Sequence, residues 1–311
     1  MVYPGKFTEQ LLADRLDRVS LSFLADSLHI RRGGVAANIA VGLARLGIPA
    51  VLAAAVGKDF GEYGSWLRDN GVETASLHIS ETLHTARFVC TTDADHNQIA
   101  TFYAGAMAEA RTISIAAVAE RAGRPNLVFV APNEPEAMLR HTDECRLLGL
   151  PFAADPSQQL AILDAEDTRQ LVDGARYLFT NEYEAALLQE RTGWNESEVL
   201  KRADTWIVTR GGDGVDILSA GQEPLRIAAV PTGAAADPTG VGDAFRAGFL
   251  AGSTLHWPYE RSARLGCALA TLVLETVGPQ DYTLTPGLLL DKIRGAYGDP
   301  TAREIERSLP L

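Results

Sequence analysis

Asp237-Pro238-Thr239-Gly240-Val241-Gly242-Asp243, continuing as Ala244-Phe245-Arg246-Ala247-Gly248, is the most informative stretch of this chain. Two glycines flank one apolar residue, a carboxylate follows, and a helix-forming run begins there. The first N–H groups of a helix have no partner inside it and attract anions. Glycine lets a phosphate approach the main chain closely. A carboxylate beside an anion site cannot serve to bind the anion, because like charges repel. It can take a proton from an attacking hydroxyl. The stretch therefore reads as a phosphoryl-transfer site, with Asp243 as base and the main chain of Gly240, Val241 and Gly242 facing the migrating group. The same residues also fit a plain helix start whose early Asp favours the dipole.

Outward from this stretch, short apolar runs alternate with amphipathic ones from about residue 126. Residues 127–131, 151–155, 176–180 and 205–209 read as buried strands, and 136–147 and 182–190 as helices. Such alternation predicts a mostly parallel sheet covered on both faces, with ligands at the carboxyl ends of the strands. Asn133, Asp155, Asn181 and Arg210-Gly211-Gly212 would collect along that edge. Nearer the N-terminus, residues 20–23, 84–91 and 98–103 are strand-like, and the last two flank the turn-rich 93–97, which predicts a hairpin. Gly33-Gly34 opens a helix of small residues ended by Gly47, and such a helix must pack closely against a neighbour. The expected organisation is a small β lid, from residues 1–30 and 80–105, over an α/β body formed by 31–79 and 106–311.

The chain has 311 residues, 46% of them hydrophobic, enough for one large core. A net charge of −12 argues against a nucleic-acid partner, which needs a basic face. Cys90, Cys145 and Cys267 are widely spaced and form no CxxC pair, so neither a disulfide framework nor a zinc site is expected. The N-terminus lacks the apolar core of a signal peptide, and no segment approaches the roughly 18 apolar residues of a membrane span. No membrane association and a cytoplasmic location are the expectation. No phosphate-binding Gly-x-x-x-x-Gly-Lys-Ser/Thr and no early dinucleotide-type Gly-x-Gly-x-x-Gly occur, and the histidines show no metal-ligand spacing.

Five features recur in one order: Gly34 with Asn38 four residues on, Asp155-Pro156 after a strand, Asn181-Glu182-Tyr183-Glu184, Thr209-Arg210-Gly211-Gly212-Asp213-Gly214, and the opening motif. This order resembles the ribokinase-like (PfkB) family of sugar and nucleoside kinases over nearly the whole chain. Pro238 and Val241 stand where that family usually has Thr and Ala. The blocks 85–88, 102–107, 154–159 and 178–181 are similar to actinobacterial adenosine kinases. The resemblance implies a ribokinase-like three-layer sandwich with a β lid, ATP as phosphoryl donor and Mg²⁺ as cofactor. It implies that Phe88 and Phe102 sandwich adenine, that Gln158 and Gln159 line the nucleoside pocket, and that Gly34 and Asn38 face the ribose hydroxyls, with Ser22 reaching in from the lid. Thr209, Gly211 and Gly214, with Asn181, Gly240 and Gly242, would approach the nucleotide. Asn181 and Glu184 would assist the metal through its bound water, and two chains would pair through the lid.

The residues carry part of this by their own chemistry. An adenine ring offers a flat face, and aromatic side chains stack on bases at roughly 1–3 kcal/mol each. Phe88 and Phe102 lie on adjacent strand-like segments, although both also fit a lid core. Gln158 and Gln159 fit a solvated loop as well as a pocket, the 209–214 stretch fits an ordinary turn, and Glu184 alone reads as a helix-surface charge. The family's first strand, whose end carries a substrate-gripping Asp, has no counterpart before Met1. Loss of an interior strand would leave two rows of backbone groups unpaired, so a longer native chain is expected. The resulting expectation is transfer of the ATP γ-phosphoryl group to the ribose 5′-hydroxyl of adenosine. A sugar kinase acting on ribose, fructose or a sugar phosphate, and a silent nucleotide-binding relative, are the alternatives.

Overall fold

Gly34 adopts a φ of 104°, a conformation open mainly to glycine, and helix α1 (Val35–Arg45) starts immediately after it. Strands β1 (Ala55–Gly57) and β2 (His78–Ser80) pair in parallel across helix α2 (Gly61–Asp69). They enclose a small core of Val41, Leu52, Val56, Phe60, Leu67 and Val72. This computed structural model describes residues 1–9 and 20–310.

Strands β3 (Arg87–Thr92) and β4 (Gln98–Tyr103) form the expected antiparallel hairpin, with Phe88 directly opposite Phe102. The N-terminal residues run beside it. Val2 bridges both Thr92 and Ser27, and the Tyr3 N–H donates to the Thr92 carbonyl at 2.8 Å. Residues 20–23, read from the sequence as a strand, form none. Phe23 is anchored through its ring instead, 4.9 Å from Phe7 and 5.0 Å from Tyr3 between centroids. Residues 10–19, within the range assigned to the lid, lie outside the described residues, as does Leu311.

Helix α3 (Ile115–Ala122), β5 (Val128–Val130), α4 (Pro135–Leu147), β6 (Phe152–Ala154), α5 (Ala165–Val172), β7 (Tyr177–Asn181), α6 (Glu182–Thr192), α7 (Glu196–Val199), β8 (Thr205–Thr209), β9 (Val215–Ser219) and β10 (Leu225–Ile227) follow in order. They build one six-stranded sheet, β10-β9-β8-β7-β6-β5. From α3 to β8 helices and strands alternate as the apolar runs predict, and β9 and β10, which were not expected, extend the sheet. Strands β5 to β8 are parallel, and β9 alone is reversed, pairing antiparallel with both β8 and β10. Successive strand residues point to opposite faces. Ala153, Tyr177, Phe179 and Ile207 pack into a core with α1, α8 (Val241–Thr254), α9 (Tyr259–Leu274), α10 (Pro286–Tyr297) and α11 (Asp299–Ser308). Phe152, Ala154, Leu178, Trp206 and Val208 pack on the other face against α3 to α7. Two cores on two faces of one sheet make the three-layer ribokinase-like sandwich.

Small residues bring α8 against its neighbours. A Cβ on Gly248 would lie 2.6 Å from the Gly266 Cα of α9, and a Cβ on Gly42 would lie 2.6 Å from the Ala247 Cβ. The α8 and α9 backbones therefore touch, and the α1 backbone rests on the Ala247 methyl, which fixes the N-terminus of α8. No helix among the described residues is long and apolar enough to cross a membrane.

Candidate active site

Gly240 is the N-cap of α8 with φ 78°, and a Cβ there would lie 2.4 Å from the Pro279 Cβ. Both the conformation and the space require glycine. Among the described residues, the N–H groups of Gly240, Gly242 and Asp243 have no hydrogen-bond partner, whereas Val241 N–H donates to the Pro238 carbonyl at 3.3 Å. The sequence reading placed the anion-facing main chain at Gly240, Val241 and Gly242. A tight turn takes up the Val241 N–H, and Asp243 supplies the third free donor in its place. Asp237 holds the approach to this turn: its carboxylate accepts from the N–H groups of Thr239 at 2.9 Å and Gly278 at 3.0 Å. Partial burial works to raise the Asp237 pKa, and these hydrogen bonds outweigh it and hold the carboxyl below the usual range.

The Asp243 side chain is held from two sides. The Asn38 Nδ2 of α1 donates to its Oδ2 at 2.7 Å. Gln280 Nε2 donates to Asn38 Oδ1 at 2.7 Å and contacts the Tyr63 hydroxyl at 2.6 Å, and that hydroxyl donates to the Gly33 carbonyl at 2.9 Å. A carboxylate accepts and an amide carbonyl accepts, so the network fixes which way the Asn38 amide points. Burial pushes the Asp243 carboxyl up, while the Arg246 guanidinium and the Asn38 amide pull it back. Asn38, assigned from sequence to the ribose hydroxyls, is buried with its amide tied to Asp243 and to Gln280.

Asp155, at the end of β6, is fully buried, and Arg246 of α8 is 6% exposed. Arg246 Nη2 donates to Asp155 Oδ1 at 2.8 Å, and Nε lies 2.7 Å from Oδ2 without good alignment. Burial pushes the Asp155 carboxyl up and Arg246 opposes it. A two-point contact of this kind holds both partners in their charged forms. The sequence reading gave Arg246 no role. Its signal was a single charge inside an otherwise apolar helix, three residues after the carboxylate.

The carboxyl ends of β6, β7 and β8 bring the phosphate-side candidates together. Asn181 caps α6: its side chain accepts from the Glu184 N–H at 2.8 Å, and its own N–H donates to Glu184 Oε2 at 2.7 Å. This is a capping box. The Ser157 hydroxyl lies 2.8 Å from Gln158 Oε1 and 3.3 Å from Glu184 Oε1. Thr209 sits opposite Asn181 in the ladder, and its hydroxyl reaches the Thr180 carbonyl at 3.4 Å. Gly211 and Gly214 shape the β8–β9 turn at φ 52° and 100°, and a Cβ on Gly214 would collide with the Ile227 carbonyl at 2.0 Å. Among the described residues, no group of three His, Cys, Asp or Glu could hold a metal ion directly. The donors present fit a hydrated Mg²⁺ better, because Glu184 Oε1 keeps lone pairs for a metal-bound water and Mg²⁺ retains most of its waters.

On the nucleoside side, Gly34 is exposed and a Cβ there would meet nothing within 4 Å. Gln159 is buried and Gln158 is exposed on the short 3₁₀ turn Ser157–Ala161, which Ser157 enters with a φ of 43°. Phe88 and Phe102 are 66% and 55% exposed on one face of the hairpin. They are therefore not the core of a lid. Ser22 is exposed, and among the described residues its hydroxyl has no hydrogen bond to any site residue. It stands on the segment that forms no strand, so nothing in the structure aims it inward.

A family model described as pfkB family carbohydrate kinase matches residues 6–286. The chain is 30% identical over 254 residues to a nucleoside kinase of Methanocaldococcus jannaschii, covering 80% of each chain. It superposes on a nucleoside kinase of Burkholderia thailandensis in complex with inosine with a TM-score of 0.84 and 32% identity, over 96% of this chain and 94% of that one. The same Burkholderia protein in complex with ADP-inosine gives a TM-score of 0.82 at 33% identity, over 96% and 92%.

Proposed function

The chain belongs to the pfkB family of carbohydrate kinases, phosphotransferases with an alcohol acceptor, and we propose that this member is a nucleoside kinase that phosphorylates the ribose 5′-hydroxyl of adenosine with ATP. The observation that carries the chemistry is the turn at the start of α8, where three unpartnered N–H groups stand beside a half-buried carboxylate. Asp243 takes the proton of the 5′-hydroxyl. The freed oxygen attacks the γ-phosphorus as the bond to the ADP oxygen breaks, giving AMP and ADP. The N–H groups of Gly240, Gly242 and Asp243 face the charge that builds on the migrating group, and such fixed donors need no rearrangement when it forms. Asn181 and Glu184 would hold a hydrated Mg²⁺ through its bound water, and the ion would neutralise phosphate charge.

Support for a nucleoside acceptor comes from the paired rings of Phe88 and Phe102 and from relatives named as nucleoside kinases, one of them holding the purine nucleoside inosine. Gln158 and Gln159 follow Asp155 at the strand end and would read the base or sugar edges. The hairpin acts as a lid that excludes water from the transfer. Val89, Ile99 and Tyr103, each 44% exposed on the face opposite the two phenylalanines, suit pairing with a second copy. The direct test is thermal shift with an ATP analogue present, comparing adenosine, inosine, ribose and fructose. Adenosine should stabilise most, because stabilisation follows affinity. Larger shifts with ribose or fructose would overturn the nucleoside assignment.

A further inference from the structure

We propose that Arg246 is a positioning residue for Asp243, a buried cation braced by Asp155 that supplies the positive charge facing the base. The inference rests on Asp243 acting as the base. Arg246 lies three residues after Asp243, on the same face of α8. Its guanidinium sits 5.7 Å from the centroid of the buried Phe179 ring, and Nη1 would lie 2.8 Å from a Cβ on Gly242. Gly242 thus leaves room for the guanidinium to fold back against the turn that holds the free N–H groups. The same guanidinium joins α8 to the strand end that leads into Gln158 and Gln159.

The charges around the base make this role specific. Asp155 approaches from β6, and Glu184 from the first turn of α6 adds a weaker negative field. Asn38 from α1 and Gln280 from the 275–282 segment are neutral, and Tyr63 from α2 is kept neutral by burial, its pKa pushed up to about 12. Asp281 pairs with Arg31, and Asp237 is engaged by main-chain N–H groups. Glu275, at the end of α9, pairs with Lys292. Charged residues within α9 (Glu260, Arg261 and Arg264) lie toward its start and pair with one another or with Glu304. Arg246 is therefore the cation set among Asp243, Asp155 and Glu184. A buried arginine left without a carboxylate is strongly unfavourable, which explains the two-point brace from Asp155. Without Arg246, the buried Asp155 carboxylate and the half-buried Asp243 carboxylate would lose the cation they share, and one would retain its proton at neutral pH.

The test is the pH profile of kcat/KM for wild type, Arg246→Met, Arg246→Lys, Asp155→Asn and Asp243→Asn, with Tm measured on each. Loss of a cation raises the pKa of a nearby carboxylic acid, and loss of an anion lowers it. Arg246→Met should move the acidic limb up by about one pH unit or more. Asp155→Asn should move it down. Arg246→Lys should keep the wild-type limb even where turnover falls. Opposite movements of the limb support the proposal. A lower Tm with an unmoved limb in both Arg246→Met and Asp155→Asn reduces the pair to a structural brace and overturns it. If Arg246→Met does not fold, an unmoved limb in Asp155→Asn is enough to overturn it. Near-normal turnover in Asp243→Asn removes the base reading itself, whatever the Arg246 variants do.

Discussion

At the start of α8, Asp243, Asn38 and Gln280 form one chain of 2.7 Å contacts, and Arg246 and the buried Asp155 form a second contact at 2.8 Å. In the hairpin β3–β4, Phe88 and Phe102 stand mostly in solvent, and every residue of β4 is exposed. The first region has its charges and donors fixed before any ligand arrives, so little reorganisation remains for the reaction. The second is a two-stranded unit of a kind only marginally stable alone. It is tethered at its root, where the Asp59 carboxylate accepts from the Thr85 N–H and hydroxyl at 2.8 Å and from Arg87 at 2.6 Å. Burial works to raise the Asp59 pKa, but these bonds outweigh it and hold the carboxyl well below the usual range. Rigidity lies where the proposed transfer would take place, and exposed apolar surface lies where the proposed base would stack.

That contrast can be broken most directly at Asp243. Asp243→Asn keeps the shape and removes the base, and kcat should fall on the order of 10²- to 10⁴-fold with the nucleoside KM almost unchanged. Steady-state kinetics decide it, and near-normal turnover would end the assignment. Phe102→Ala probes the other region. The loss of a stacked ring, roughly 1–3 kcal/mol, should raise the adenosine KM about 5- to 150-fold. Because the ring is exposed in the free protein, its Tm should stay within about 1 °C of wild type. A large fall in Tm with unaltered KM would assign the ring to structure. Asp59→Asn should have the smallest effect, a rise of a few-fold in nucleoside KM as the hairpin root loosens. Limited proteolysis should then cut the hairpin faster, and an unchanged digestion rate would show that the root is held elsewhere.

Strands β9 and β10 were not read, because Asp216 and Arg226 interrupt their apolar runs. The four parallel strands were legible as short apolar runs, and β8 matches its run from Thr205 to Thr209. The other strands shifted or shortened by a residue or two where the ends turn. Residues 20–23 misled because a segment pinned by one aromatic ring has the same composition as a strand. The Gly240–Asp243 turn was visible because its glycines and carboxylate are adjacent. The contacts that support it are not local: Arg246 and Asp155 are 91 residues apart, and Gln280 and Asn38 are 242 apart. No spacing rule in a single sequence joins such pairs. Asn181-x-x-Glu184 was seen, but its capping role was missed, since the same polar pair serves a helix start as readily as a hydrated ion.

Gly42 and Ala247 touch one helical turn beyond Asn38 and Asp243, respectively, at the crossing of α1 and α8. The separation of the amide from the carboxylate is thus inherited from the Gly42 backbone resting on the Ala247 methyl, with no rotatable side chain between them to adjust. A methyl group added at position 42 would act as a shim. It would lengthen that reach while every group in the cleft kept its identity, so the alignment of Asp243 is guarded by two small residues a full helical turn beyond its contact with Asn38.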